Sequence, residues 1–397
     1  MTRRTPTAMR ATRAALLAFG ALIGIVAGAA ASSPTPSATP PASVAPTRGA
    51  TAAPRMDLTS VPMLAYYYIW FDPGSWDRAK SDLPLLGPYS SDDETVMRQH
   101  IVQAKSVGIE GFIVSWKSTA VLDRRLDALV RIAREEDFKL AIIYQGLDFS
   151  REPLPATRVA EDLDHFLARY AQDPVFDMFG KPLVIWSGTW RFSEAEVAAV
   201  AGPRRDRLLL LASEQSASAF ERLAKLVDGD AYYWSSVNPD TFPDYPGKLA
   251  AMGAAVHDAG GLWIAPAAAG FDARLLGHTT VVDRQDGKML ERQVEAAVSS
   301  FPDAIGVISW NEFSENSYVE PSRTYGNQSL QVLARLNKTN LTTTDDSDSS
   351  SPAGLDASAG VGRLLAILAV AGIGVAGAVI IVRRRRRMTR RPRRTTR

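Results

Sequence analysis

A chain of 397 residues with 46% apolar composition can hold one large domain or two ordinary ones, and it is too apolar to be disordered throughout. Its net charge of +2 hides a segregation: ten arginines in 383–397, Arg363 and four in the first 31 residues account for 15 of 45 basic groups, leaving 30 against 43 acidic ones, about −13 for the middle. That distribution excludes nucleic acid as a partner of the folded part, and the absence of cysteine excludes disulfides, thiolate metal sites and cysteine nucleophiles.

In chain order, residues 1–31 combine basic residues, an apolar run from Ala14 to Val26 and small residues with Ala29 and Ala31 at A-x-A spacing, the pattern of a secretory signal peptide. Residues 32–57 are a Pro/Ser/Thr/Ala linker with too little apolar surface to order itself. Eight apolar runs of strand length follow: 63–70, 111–116, 139–145, 182–187, 207–213, 230–236, 261–267 and 304–310. Their near-continuous hydrophobicity suits parallel strands covered on both faces. Helical stretches stand between them. The first, "DDETVMRQHIVQAKSVG", carries acids at its start and a glycine at its end, and the last lies around Ser329 to Leu336. Residues 341–360 repeat the linker character. Leu364 to Val382 is then an uncharged run of 19 apolar residues, about 28 Å as a helix, inside a predicted transmembrane segment 361–382. The basic tail 383–397 places that end in the cytoplasm by the positive-inside rule. The expected arrangement is a single-pass plasma-membrane protein, its domain of residues 58–340 extracytoplasmic and monomeric.

Eight strands alternating with eight helices predict an α/β fold of the (β/α)8 TIM-barrel type. An open doubly wound sheet is the rival, but no G-x-G-x-x-G follows the first strand. Barrel chemistry sits at the C-terminal ends of strands, and these ends are rich in aromatic and amide groups. They include Tyr67, Tyr68, Trp70 and Phe71 after the first strand, Trp116 after the second, and Tyr144 and Gln145 after the third. Trp186 and Trp190 follow the fourth, Glu214 and Gln215 the fifth, Tyr233 and Trp234 the sixth. Flat rings beside hydrogen-bonding groups suit sugars. Four histidines, His100, His165, His257 and His278, have no metal-binding spacing, so no metal or cofactor is expected.

The eighth run ends in "GVISWNEFSENSYVEPS", which delivers Glu312, Glu315 and Glu320. Glycosidic cleavage needs one carboxyl group to protonate the leaving oxygen and a second on the nucleophilic side, and a close pair drives its two pKa values apart. A helix cap or surface turn is the other reading of the same residues, since Asn311 and Ser314 are good caps.

"SWNEFSENSYVEPS" resembles the strand-eight motif of glycoside hydrolase family 99, the endo-α-1,2-mannosidases and endo-α-1,2-mannanases. "LGPYSSDDETVMRQHIVQAKSVGIEGFIVSW" and "VDGDAYYWSS" resemble further family blocks, so the likeness runs in order over roughly residues 62 to 336. It implies a TIM barrel, Glu312 as base and Glu315 as general acid. In the implied mechanism the sugar's own 2-hydroxyl attacks to give a 1,2-anhydro sugar, which water opens with retention and without a metal. Sugar subsites would include Tyr68, Trp116, Tyr233 and Asn311, with Gln145 and Trp190 from the neighbouring strand ends, and Glu320 would shape the loop. Three departures stand out. The family's H-I-E-P-Y segment appears here as "IYQGLDF", so Gln145 or Gly146 occupies the position of a carboxylate; Phe313 replaces a tryptophan; and the loop after the first strand is compressed. The expected function is a membrane-anchored retaining glycoside hydrolase cleaving α-mannosidic or related linkages in a polysaccharide or oligosaccharide. The alternative is a non-catalytic surface glycan-binding protein on the same barrel.

Overall fold

Strand register follows from the apolar runs, because a strand covered on both faces needs no polar alternation. The computed structural model describes residues 58–148 and 150–339. The signal peptide, both linkers, the transmembrane segment and the basic tail lie outside the described residues. Among the described residues no helix is long and apolar enough to cross a membrane.

Eight strands form one parallel sheet: β1 (Met63–Tyr68), β2 (Gly111–Trp116), β3 (Lys139–Gln145), β4 (Leu183–Ser187), β5 (Leu209–Leu211), β6 (Gly229–Ala231), β7 (Leu262–Ala268) and β8 (Ala304–Ile308). The spatial order is β5-β4-β3-β2-β1-β8-β7-β6. A parallel bridge between Ala212 and Asp230 joins the two ends. There the Ala212 amide donates to the Gly229 carbonyl, and the Ala231 amide to the Ala212 carbonyl, both at 2.9 Å. The ring closes as the eight-strand count predicts. β5 and β6 are shorter than their apolar runs, since the β4 ladder ends at Leu211 and the chain from Tyr232 onward leaves the sheet although β7 continues to Ala268. A short antiparallel hairpin, Phe271–Asp272 with Val281–Val282, is inserted after β7.

The helices are α1 (Glu94–Ser106), α2 (Ala120–Glu135), α3 (Ala156–Arg169), α4 (Glu194–Ala201), α5 (Ala217–Glu221), α6 (Tyr245–Asp258), α7 (Lys288–Val298) and α8 (Gln328–Leu336). Asp93 caps α1 by accepting from the Thr95 and Val96 amides, and Ser193 with Glu196 forms a capping box on α4.

Alternation along each strand divides the core in two. Leu64, Tyr66, Ile113, Ile143, Ile185, Leu211, Ile264 and Ile308 pack inside the barrel. Tyr67, Phe112, Val114, Trp116, Tyr144 and Trp186 pack outward with helix residues such as Ile101, Leu126 and Phe166. Gly306 makes room for the Tyr66 ring: a Cβ there would lie 2.8 Å from Tyr66 Cε2.

Candidate active site

Beyond β8 the chain turns back on itself. The Ser309 amide donates to Ser317, Val319 to Ser309 and Glu320 to Trp310, while the Trp310 amide reaches Tyr66 on β1. The Ile308–Ser309 peptide is cis. This folding fixes the loop at the C-terminal mouth of the barrel, and Glu312 and Glu315 lie between its two arms.

Both carboxyl groups are buried, with 2% and 5% of the residue surface exposed. The Glu312 amide donates to Ser309 Oγ at 2.8 Å, and Glu312 Oε1 accepts from the Ser314 amide at 2.8 Å. Ser235 Oγ donates to Glu315 Oε2 at 3.5 Å, and the Glu315 carbonyl accepts from the Asp272 amide. Burial pushes Glu312 up to about 7, against the opposing pull of the Ser314 hydrogen bonds and the Lys80 charge. Burial and then the Glu312 charge push Glu315 well above the usual carboxylate range. Two carboxyl groups in one dry site cannot both ionise cheaply. The pair therefore favours the state in which one carboxyl group is protonated and the other ionised.

Tyr68 and Tyr233 stand beside them. Their hydroxyls are 2.7 Å apart, and both carboxyl groups act on both rings electrostatically. Burial, reinforced by Glu315 for Tyr68 and by Tyr68 for Tyr233, keeps the two phenols protonated as donors. Trp70 stacks on Tyr68 at 4.2 Å between centroids and remains half-buried.

Of the residues singled out from the sequence, the structure gathers Glu312, Glu315, Tyr68 and Tyr233. Gln145 ends β3 on the inner face, half-buried, and donates from Nε2 to Ser115 Oγ at 3.0 Å. Gly146 has no space for a side chain, because a Cβ would lie 2.4 Å from Trp186 Nε1. Trp190 is half-buried in the turn Thr189–Arg191 after β4. Two assignments need correction. Trp116 faces away from the mouth: its side chain is fully buried, its indole donates to Asp123 on α2 at 3.0 Å, and it packs against Tyr144 and Phe166. Ile113 points into the barrel and two residues on so does Ser115, which sends Trp116 outward. Asn311 is also fully buried, and its amide is used up. Oδ1 accepts from the Tyr68 amide at 2.8 Å, while Nδ2 donates to the Tyr68 carbonyl and the Tyr89 hydroxyl. It clamps the end of β1 and has no amide hydrogen left for a sugar.

Behind this clamp lies a buried network that sequence reasoning did not assemble. Tyr89 donates to Glu320 Oε2 at 2.9 Å, and His100 Nε2 donates to Glu320 Oε1 at 3.2 Å. The Tyr67 hydroxyl donates to His100 Nδ1 at 3.1 Å, the tautomer that the carboxylate dictates. The signal was present in part: His100 lies on the α1 face that repeats with Met97, Ile101 and Ala104, all buried. Two half-buried cations also escaped notice, Lys80 on the β1–α1 loop and Arg151 on the β3–α3 loop. Among the described residues no three His, Cys, Asp or Glu groups converge as a metal site.

Comparison with known proteins agrees with this geometry. The family model described as glycosyl hydrolase family 71 matches residues 86–335. A curated relative, a glycoprotein endo-α-1,2-mannosidase-like protein of Danio rerio, is 23% identical over 273 residues, covering 62% of this chain and 60% of its own length. The chain thus spans about three-fifths of that relative. A solved GH99 endo-α-mannosidase from Bacteroides thetaiotaomicron in complex with bis-tris-propane superposes with a TM-score of 0.62 at 19% identity, covering 70% of this chain and 95% of the other. A solved glycoside hydrolase-like protein gives 0.57 at 15% identity, covering 73% and 98%. These structures share the barrel. The family-99 resemblance of the strand-eight motif is supported by the relatives, while the matching family model is that of family 71.

Proposed function

The chain belongs to glycosyl hydrolase family 71, and from that premise we propose that it is a retaining glycoside hydrolase cleaving α-mannosidic or related linkages within a glycan. One observation carries the reading: two buried carboxyl groups at the C-terminal mouth, Glu312 and Glu315, both raised by burial and Glu315 also by the charge of its neighbour. Separated proton affinities are what an acid and a base working together require.

In the proposed step Glu315 gives its proton to the glycosidic oxygen as the C1–O bond breaks. Glu312 takes the proton of the sugar's 2-hydroxyl, and the freed oxygen closes on C1 to form a 1,2-anhydro sugar. Water then opens the ring at C1, delivering one proton to Glu315 and drawing the other back from Glu312 to O2, so both groups return to their starting states. Tyr68 and Tyr233, neutral donors beside both carboxyl groups, would orient the ring oxygens, and the half-buried face of Trp70 would support a sugar. The predicted signal peptide and C-terminal helix would hold this barrel on the outer side of the plasma membrane, a proposal that rests on the sequence alone. A non-catalytic glycan-binding role is less well supported, since binding does not call for two buried acids with separated proton affinities.

The test is incubation of the full chain with a panel of α-mannans and other envelope glycans, following the anomer first released by NMR. Release of the α-anomer, abolished in both Glu312→Gln and Glu315→Gln, is expected. Release of the inverted anomer, or unchanged turnover in either variant, would sink the assignment.

A further inference from the structure

We propose that Arg284, brought in by the hairpin inserted after β7, is a positioning residue for Glu315: it fixes the tip of the acid loop and with it the place from which the proton is delivered. The inference rests on the glycosidase reading above and adds a role to it.

Gly270 makes room first. A Cβ there would lie 2.7 Å from Arg284 Cγ, so the glycine lets the aliphatic stem of Arg284 lie on the backbone at the foot of the hairpin. Arg284 as a whole is buried, with 5% of its surface exposed. Its Cζ lies 4.5 Å from the ring centroid of Tyr318 and 4.5 Å from that of Tyr325, in the angle between two rings tilted by 52°. A planar cation suits that aromatic crevice. Tyr318 in turn stacks on Phe313 at 3.9 Å and donates its hydroxyl to Asp82. Phe313 and Tyr318 bracket the tip of the loop, residues 314–317, and Glu315 stands on that tip.

Two hydrogen bonds reach the tip from the insertion. The Asp272 amide donates to the Glu315 carbonyl at 2.7 Å, and Arg284 Nη2 donates to the next carbonyl, that of Asn316, at 3.0 Å. Asn316 has a φ of 54°, in the left-handed region that costs any side chain more than glycine, so the turn depends on its partners. Arg284 Nη1 also donates to Ser329 Oγ on α8 at 3.4 Å, which joins hairpin, tip and helix through one guanidinium. The two acids are thus held differently. Glu312 is fixed from within its own loop by Ser309 and Ser314, whereas the backbone at Glu315 is fixed from outside by the hairpin. Loosening the outer anchor moves Glu315 against the sugar and leaves Glu312 in place. A general acid acts on the leaving oxygen, so its displacement slows substrates whose leaving group needs a proton and spares those whose leaving group does not.

The experiment gives the full chain two substrates: α-1,2-mannotetraose, whose leaving oxygen must be protonated, and α-1,2-mannobiosyl fluoride, whose fluoride departs without a proton. Arg284→Met should lower kcat on the tetraose by about 10- to 100-fold with KM changed by less than about twofold, and keep the fluoride rate within about threefold of wild type. Arg284→Lys, which retains a cation and a donor, should fall between the two. Arg204→Met removes another buried arginine, one that donates to the Val200 and Ala160 carbonyls among the helices, and should lower Tm without altering the ratio of the two rates. Hydrogen exchange supplies a readout independent of turnover. In Arg284→Met the amides of Asp272 and Ser317 should exchange faster, while those of Val319 and Glu320, in the paired arms of the loop, should not. Equal slowing of both substrates, slowing of neither, or unchanged exchange at Asp272 would overturn the proposal. A wild-type protein that cleaves neither substrate, beside the expected change in exchange, would leave Arg284 as the holder of the tip and remove the hydrolase reading for α-1,2-mannosides instead.

Discussion

Glu312 and Glu315 share a single loop with Glu320, and all three are almost fully buried. At the front of the loop burial raises the proton affinity of both catalytic candidates, and the Glu312 charge also raises that of Glu315. At the back, Glu320 is enclosed by His100 and Tyr89, two hydrogen-bond donors that stabilise it in place. The same side chain, buried to the same degree, thus sits in a pair of acids in one setting and in a closed aromatic network in the other. What differs is the kind of partner, a serine and a second carboxyl group at the front against an imidazole and a phenol at the back.

The sharpest way to break this contrast is to neutralise each acid in turn. Glu315→Gln should lower kcat by about 10²–10⁴-fold while the protein stays folded, because a general acid is lost and a neutral amide of the same shape takes the place of the protonated carboxyl group. Glu320→Ala should invert that result. It leaves His100 and Tyr89 without their acceptor, costs about 3 kcal/mol or more in urea unfolding, and affects turnover mainly through the Asn311 clamp on β1. The front pair also predicts a pH dependence. A carboxyl group whose folded-state pKa is raised contributes stability that is fully present below its unfolded value, and this is lost as the pH rises through the folded value, here about 7 for Glu312. The protein should therefore lose up to about 3 kcal/mol between pH 5 and pH 8 from that group, and Glu312→Gln should make the Tm profile shallower over that range, leaving the slope that Glu315 contributes. A fixed Tm from pH 5 to 8 would contradict the assignment. The smallest effect belongs to a residue outside the site: Trp116→Phe loses one hydrogen bond to Asp123, about 1 kcal/mol, with KM unchanged. A raised KM would restore Trp116 to the substrate.

The barrel was legible because eight apolar runs carry a strong and repeated signal, and the acid pair because it ends the eighth. Sidedness was legible too, but only through the period of two. Counting from Ile113 places Ser115 inside and Trp116 outside, whereas position at a strand end alone places Trp116 at the mouth. Tyr68 and Tyr233 face in, and Tyr67, Tyr144 and Trp186 face out, by the same rule. Other features depend on contacts between residues far apart in the chain. Glu320 and His100 are 220 positions apart, and no local pattern joins them. Asn311 reads as a cap from its neighbours, yet its partners are the Tyr68 backbone and Tyr89. The early end of β6 at Ala231, beside a β7 that runs on to Ala268, is a departure of the chain that an apolar run does not encode.

The ring of strands is stitched unevenly. β2 and β3 are joined along six residue pairs, whereas β5 and β6 meet through one bridge between Ala212 and Asp230. A cylinder sewn this way has a built-in opening edge, so the first large breathing motion should part the wall there and leave the opposite side intact. The Glu312–Glu315 loop springs from β8, two strands away from β6 and five from β5 in the sheet order. The catalytic candidates are thereby rooted in a strand paired on both sides, away from that edge.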